Sequence, residues 1–224
     1  MAPSAGTRKQ RTRWERRYTS KQGEDFIWYL DQPPAELVRL VEEGGLPPGA
    51  ALDVGCGPGV ATAFLSRSFS PTVGLDIAFS ALTQARERVA KEGTTAGFVV
   101  AAAPVLPFQS GAFSLVFDRG CLQALPREAW PVYFEEVRRL LKPGGTFQLF
   151  ASKPVRKFPP LLSYRGLRAR ARWVLGRRGP QFLNHDLLRK LAGPSLEAQR
   201  MENFTFQPTA GPPRDMTHAL FRKS

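Results

Sequence analysis

The chain has 224 residues, of which 42% are hydrophobic, and this is enough for one α/β domain with a full core. We expect neither a membrane span nor a secretory leader, because no apolar run approaches the length of a bilayer crossing and the amino terminus lacks an apolar segment. The only two cysteines, Cys56 and Cys121, argue against a disulfide framework and favour a reducing, cytoplasmic compartment.

The net charge of +13 is concentrated in two segments. Residues 1–22 hold seven Lys or Arg against one Glu, and residues 151–180 hold nine Lys or Arg and no acid. Basic segments attract anions, so we expect the partner to be an anionic small molecule, a nucleic acid or an acidic protein. The alternative is that these side chains are only solvated surface. The basic amino terminus also fits a nuclear or mitochondrial targeting signal.

The amino-terminal part of the chain changes character at residue 14. Residues 1–13 contain almost no apolar side chain, and we expect them to form a disordered basic tail. Residues 14–45 contain several aromatic side chains and a predicted helix at 34–44, opened by proline and stopped by two glycines. This segment is predicted to be a helix packed on the domain edge or a lid over a ligand site, and the two interpretations are compatible.

From residue 50 onward, short apolar runs alternate with helical segments, which predicts a parallel sheet with right-handed crossovers. The predicted strands are 50–54, 72–76, 97–101, 113–117, 146–151, 196–205 and 217–222, and the predicted helices are 58–68, 79–91, 128–141 and 184–192. Residues 14–224 thus form a single predicted domain. The arginine-rich stretch 153–182 lies outside the alternation, and we expect it to be an insertion over the carboxyl ends of the strands.

A glycine-rich turn follows the first predicted strand. Residues 50–59 read Ala-Ala-Leu-Asp-Val-Gly-Cys-Gly-Pro-Gly, and a ligand can lie against glycine backbone because no Cβ intervenes. The next strand ends at Asp76, where a nucleotide-binding unit places a carboxylate on the ribose hydroxyls. The turn is not G-x-G-x-x-G, and Asp53 before it would repel a pyrophosphate and attract an ammonium or sulfonium group.

Four segments resemble, in order and spacing, the motifs of class I S-adenosylmethionine-dependent methyltransferases: 52–59, 74–76, 106–108 and 141–145. The resemblance covers about residues 48–152, nearly half of the chain. It implies an α/β, Rossmann-like fold with a seven-stranded, mostly parallel sheet, helices on both faces and an antiparallel C-terminal strand. It also implies S-adenosyl-L-methionine as the cofactor.

The resemblance implies which residues contact this cofactor. Asp53 would meet the amino end of its methionine part, Asp76 the ribose hydroxyls and Ile77 the adenine. At the third motif the family's usual acid is missing, so adenine is expected to be held by the backbone of Ala102 or Ala103. The full expected set is Asp53, Gly55, Cys56, Gly57, Gly59, Asp76, Ile77, Ala102, Ala103 and Asp118.

Residues 117–126 resemble the thiopurine and tellurite-resistance type of small-molecule methyltransferase. This resemblance implies a thiol, a chalcogen or another heteroatom as the methyl acceptor, and a thiolate needs little base catalysis because it is already the nucleophile. Asp118 and Arg119 are expected to orient the acceptor, with a salt-bridged strand end as the alternative. The expected acceptor pocket consists of Trp14, Tyr18, Trp28 and Tyr164. No His or Cys spacing indicates a metal site.

The leading hypothesis is therefore an S-adenosylmethionine-dependent methyltransferase that acts on a small molecule. An enzyme that methylates RNA or protein, with the basic segments holding phosphates or acidic groups, is the first alternative. The missing acid at the third motif keeps open a second alternative, a cofactor-binding partner subunit without catalysis of its own.

Overall fold

The computed structural model describes residues 5–20, 26, 28–152, 183–207 and 213–224. Its helices are α1 (Ala5–Ser20), α2 (Ala35–Glu42), α3 (Val60–Leu65), α4 (Phe79–Lys91), α5 (Trp130–Leu140) and α6 (His185–Ala192). Its strands are β1 (Ala50–Val54), β2 (Thr72–Asp76), β3 (Gly97–Val100), β4 (Phe113–Arg119), β5 (Leu141–Ser152), β6 (Leu196–Phe206) and β7 (Arg214–Lys223). Within these ranges, no helix has the length and apolar character needed to cross a bilayer.

The strands form one seven-stranded sheet in the order β3-β2-β1-β4-β5-β7-β6. Strands β1 to β5 are parallel, and β7 pairs antiparallel with both β5 and β6. The predicted fold class is confirmed, including the antiparallel carboxyl-terminal strand. The chain runs outward from β1 to β3 and then returns to the other side of β1 with β4. Open α/β sheets bind ligands at such a reversal, beyond the carboxyl ends of the strands.

Helices cover both faces of the sheet because alternate strand residues point to opposite sides. Helix α5 places buried apolar side chains at helical spacing on one face, where they pack with Phe147 of β5 and Phe221 of β7. Leu37 of α2 and Leu65 of α3 pack on the other face with Phe117 of β4. Each fully buried side chain of this size contributes roughly 1.5–3 kcal/mol of transfer free energy, so both helix layers hold the strand ends in place.

Helix α1 corrects the expectation of a disordered tail, because residues 5–13 are part of this helix. The Glu15 carboxylate accepts hydrogen bonds from the amides of Phe79 and Ser80, at 2.8 and 3.0 Å, and so caps the amino terminus of α4. Gln84 of α4 donates to the Tyr18 carbonyl oxygen at 2.9 Å. A polar segment of this length gains helical structure mainly from such tertiary contacts, which its composition does not reveal.

The predicted boundaries of α3 and β5 also need correction. Helix α3 begins at Val60 rather than at residue 58, because Gly59 adopts a left-handed φ of 78° directly before it. Strand β5 begins at Leu141 rather than at residue 146, because Leu141 pairs with Phe113 at the start of β4. The basic stretch 153–182, predicted to be an insertion, lies outside the described residues.

Candidate active site

A cavity of about 360 Å³ opens at the carboxyl ends of β1, β2 and β4, beneath helix α1. It brings together residues that are far apart in the chain, from the amino-terminal helix to the last strand. Eleven sequence-predicted residues line it: Trp14, Tyr18, Trp28, Asp53, Gly55, Cys56, Gly57, Asp76, Ile77, Ala103 and Arg119.

Three of the predicted residues that the structure describes do not line the cavity. Ala102 does not line it, although its neighbours Ala101 and Ala103 do. A Cβ on Gly59 would lie 2.7 Å from the Ala85 Cβ, so this glycine serves the close approach of α3 and α4 rather than a ligand. Asp118 is also absent from the lining, and Tyr164 lies outside the described residues.

The turn after β1 is packed tightly between other parts of the site. Gly57 has a φ of 52°, and a Cβ there would lie 2.9 Å from the Tyr18 hydroxyl oxygen of α1. A Cβ on Gly55 would lie 2.8 Å from the Cys121 Cβ. The Gly57 amide donates to the Asp76 carboxylate at 3.1 Å, which ties the turn to the end of β2. Glycine is required here because both α1 and the segment after β4 lie against the turn.

Two buried carboxylates line the cavity beside the glycine turn. Asp53 is 3% exposed and accepts a hydrogen bond from the Thr62 hydroxyl at 2.6 Å, whereas Asp76 is 6% exposed and also accepts from the Ala78 amide at 2.9 Å. Burial raises the pKa of Asp53 to about 7 and that of Asp76 to about 6, while these hydrogen bonds act in the opposite direction. A cationic ligand would stabilise the ionised form of both groups.

Asp118 has a different place from the one expected. Its fully buried carboxylate accepts hydrogen bonds from the amides of Cys121 and Leu122, at 2.7 and 2.9 Å, and from the Tyr133 hydroxyl at 2.7 Å. These three donors tie Asp118, near the end of β4, to the segment that follows this strand and to α5. No local motif marks this network, because the Tyr133 hydroxyl comes from a separate helix.

Arg119 does face the cavity, and it connects three parts of the fold. Its Nη2 atom donates to the Trp28 carbonyl oxygen at 2.7 Å, and its guanidinium carbon lies 5.3 Å from the centre of the Phe206 ring. Burial lowers the pKa of Arg119 to about 10, and the negative charge of Asp53 acts in the opposite direction. The predicted salt bridge at this strand end is not found among the described residues, since its neighbours here are a carbonyl group and a ring.

An aromatic cluster closes the cavity from the α1 side. The ring centres of Trp14 and Trp28 are 5.9 Å apart, those of Tyr18 and Phe26 are 5.0 Å apart, and Phe26 stacks on Trp28 at 4.7 Å. On the other side of the cavity, the Gln10 side chain donates to the Ala124 carbonyl oxygen at 3.4 Å. Together with the Glu15 cap of α4, this contact places α1 across the opening as a lid.

Other residues of the cavity were not foreseen. Gln10 and Arg13 belong to the segment expected to be disordered, and no local motif marks the contribution of the last two strands. The lining residues that motif reasoning missed include Gln10, Arg13, Leu30, Gln123, Phe206, Arg214 and Met216.

Residues 51–145, from β1 to the beginning of β5, match the family described as "Methyltransferase domain". This match, which covers less than half of the chain, supports a class I S-adenosylmethionine-dependent methyltransferase domain. This assignment confirms the resemblance of the ordered motifs and S-adenosyl-L-methionine as the cofactor of the family. The described residues fit that cofactor, because a bare glycine turn and two buried acids face the same cavity.

Two curated relatives are small-molecule methyltransferases by name. A 2-heptyl-1-hydroxyquinolin-4(1H)-one methyltransferase of Mycobacteroides abscessus is 29% identical over 134 residues, which are 59% of this chain and 58% of the relative. A probable thiol methyltransferase 2 of Arabidopsis thaliana is 29% identical over 119 residues, 53% of each chain. The match therefore spans little more than half of the length of these relatives.

The solved structure of the N-methyltransferase NodS from Bradyrhizobium japonicum, in complex with S-adenosyl-L-homocysteine, has the same fold. It superimposes with a TM-score of 0.66 at 17% identity and covers 93% of this chain and 97% of its own. The likeness extends beyond the family match to the amino-terminal and carboxyl-terminal parts of the chain.

Proposed function

We propose that this protein transfers a methyl group from S-adenosylmethionine to a small-molecule acceptor. The observation that carries the proposal is one cavity lined by two kinds of groups. Asp53 and Asp76 line it beside the glycine turn, and Arg119 and the aromatic side chains of the lid line it as well. The acids and the turn suit a cationic nucleoside, and the arginine and the rings are available to a second molecule.

Particular residues would hold the cofactor. Asp76 would accept hydrogen bonds from the ribose hydroxyls, and Asp53 would face the ammonium of the methionine part, directly or through water. Ile77 and Ala103 would pack on the adenine, because no acid is present at that position to bind its amino group. Bound there, the cofactor supplies a methyl group on a positively charged leaving group.

The residues of the cavity would contribute mainly by positioning the reactants and excluding water. Among the described lining residues there is no histidine, and both acids would hold the cofactor. Burial raises the pKa of the Tyr18 hydroxyl and the Cys121 thiol well above their usual values, so neither is a ready base. This supports an acceptor that is nucleophilic without a protein base, such as a thiolate.

The names of the relatives agree with a small acceptor, since one is a thiol methyltransferase and another a quinolone methyltransferase. The proposal is tested by following tritiated methyl groups from S-adenosylmethionine into a metabolite extract, total RNA and total protein. We expect label in the metabolite fraction, including an added panel of thiols, and none with the Asp76→Asn variant. Label found only in RNA or protein would overturn the small-molecule acceptor, and label in no fraction would indicate a partner subunit without catalysis.

Cofactor binding is expected to depend on pH. The raised pKa values of Asp53, about 7, and Asp76, about 6, mean that both are largely protonated at pH 5. Because a cation favours their ionised forms, binding releases protons, and affinity rises as the pH rises through 6 to 7. We expect binding at pH 5 to be about tenfold weaker than at pH 8. Calorimetry in two buffers of different ionisation enthalpy measures the affinity and the proton release together.

The matched control for this experiment is the Asp76→Asn variant, in which the contribution of Asp76 to the pH dependence is removed. An affinity that stays constant between pH 5 and pH 8 in the unaltered protein would contradict the proposed role of the two acids.

A further inference from the structure

Two of the arginines that line the cavity lie at strand ends. Arg119 ends β4 and Arg214 begins β7, and both line the cavity. Phe206 of β6 joins them, because it pairs with Arg214 in the β6–β7 ladder and its ring lies 5.3 Å from the Arg119 guanidinium carbon. Three residues that are distant in sequence thus form one surface, with a ring between two cationic side chains.

Neither guanidinium is neutralised by an acid in the described part of the chain. The ion pairs found there involve other arginines, and Arg119 donates instead to the Trp28 carbonyl oxygen. The Nε atom of Arg214 is buried and has no hydrogen-bond partner among these residues. Of the stretches outside the described residues, 153–182 and 208–212 contain no Asp or Glu in their sequences, whereas 21–25 contains Glu24 and Asp25. A buried donor on a cation without an acceptor is unfavourable, so these groups suit an incoming anion.

The neighbours of the two arginines are flat or apolar. Trp14, Trp28 and Met216 line the same cavity, and the Arg17 guanidinium carbon lies 4.8 Å and 5.5 Å from the centres of the Trp14 and Trp28 rings. Aromatic walls bind aromatic or apolar molecules with a large area of contact. The combination favours a ligand with a flat or apolar body and a negatively charged group.

We propose that Arg119 and Arg214 form an anion-binding subsite for the methyl acceptor, which is a small aromatic or apolar anion carrying a carboxylate or similar group. This rests on the proposed function, since it assigns the acceptor to the cavity that takes the cofactor. The distribution of charge also orients the two ligands. The acids beside the glycine turn attract the cationic donor and repel an anion, whereas the arginines attract the anion.

The test compares two thiols that differ only by the charge of a carboxylate, 4-mercaptobenzoate and its amide, 4-mercaptobenzamide. Each is titrated by calorimetry into the full chain saturated with S-adenosylhomocysteine, which prevents turnover. We expect 4-mercaptobenzoate to bind about tenfold more tightly than the amide, because hydrogen bonds to a charged group are worth more than those to a neutral one. Arg214→Gln is expected to abolish the preference, and Arg214→Lys to retain part of it.

Arg222→Gln is the matched control, since Arg222 is exposed on the same strand and does not line the cavity. It should leave the preference unchanged. Equal binding of the two thiols, or no binding of 4-mercaptobenzoate, would overturn the proposal. So would an Arg214→Gln variant that loses affinity for S-adenosylmethionine but keeps its preference among thiols, because the arginine would then hold the methionine carboxylate.

The titrations are repeated without S-adenosylhomocysteine. A protein that binds no S-adenosylhomocysteine at all would contradict the proposed function, and the comparison of the two thiols would still report on the arginines. Thermal unfolding of each variant shows whether a loss of binding comes from a loss of structure. If Arg214→Gln does not fold, two other outcomes would exclude the subsite. The first is that the unaltered chain shows no preference for 4-mercaptobenzoate over the amide. The second is that Arg214→Lys and Arg119→Gln both keep this preference in full.

Discussion

Replacing Asp76 with asparagine is expected to weaken the binding of S-adenosylmethionine by about 100-fold, because at least one strong hydrogen bond to an ionised group and the attraction for a cation are both lost. The carboxylate ends β2, faces the cavity and already accepts from the amides of Gly57 and Ala78. Asparagine has nearly the same shape, so the change removes the charge and, because an amide nitrogen cannot accept, one of the two hydrogen bonds from the backbone amides. Isothermal titration calorimetry at pH 8 measures the effect.

Asp186→Asn serves as the control for this substitution, because the Asp186 side chain is 92% exposed on α6 and does not line the cavity. It should bind the cofactor like the unaltered protein. If Asp76→Asn also bound with unchanged affinity, Asp76 would not belong to the cofactor site.

Replacing Asp118 with alanine is expected to lower the free energy of unfolding by about 3–5 kcal/mol, since each buried donor left without an acceptor costs about 1–3 kcal/mol. The donors concerned are the amides of Cys121 and Leu122 and the hydroxyl of Tyr133. Urea unfolding followed by circular dichroism gives the free energy directly. The prediction treats Asp118 as a residue that shapes the segment after β4, not as one that touches a substrate.

Tyr133→Phe separates the parts of this effect, because it removes one of the three donors together with its need for an acceptor. It should cost only about 1 kcal/mol. An Asp118→Ala variant with normal stability but no methyl transfer would instead support the catalytic role that the motif at residues 117–126 suggests. Stability and activity therefore have to be measured on the same preparations.

The part of the cavity beside the glycine turn was largely predictable from the sequence. The glycine turn, Asp53 and Asp76 follow directly after two short apolar strands, and the carboxyl ends of parallel strands meet at one edge of a sheet. The order of the strands along the chain was sufficient to predict that these residues lie together, because β1 and β2 are adjacent both in sequence and in the sheet. The same reasoning predicted the alternation of helices and strands from residue 50 onward.

The part of the cavity lined by the last two strands was not predictable in the same way. Arg214 and Phe206 reach the cavity only because β7 inserts antiparallel between β5 and β6, which brings the end of β6 and the start of β7 to the same edge of the sheet as the carboxyl end of β5. Neither residue has a motif around it. Gln10 and Arg13 were assigned to a tail because their segment is polar, and only the docking of α1 on α4 and over the cavity places them in the site.

The sequence by itself determined the fold class, the cofactor of the family and the position of two acids beside the glycine turn, because each depends on residues that are neighbours along the chain. Tertiary structure alone decided that Asp118 is tied to α5 through Tyr133, that α1 covers the cavity and that two arginines line it together. Hydrogen-bond partners and side-chain direction arise from contacts between distant segments, and a pattern of residue types does not encode those contacts. The proposed methyl acceptor depends on this second group of features.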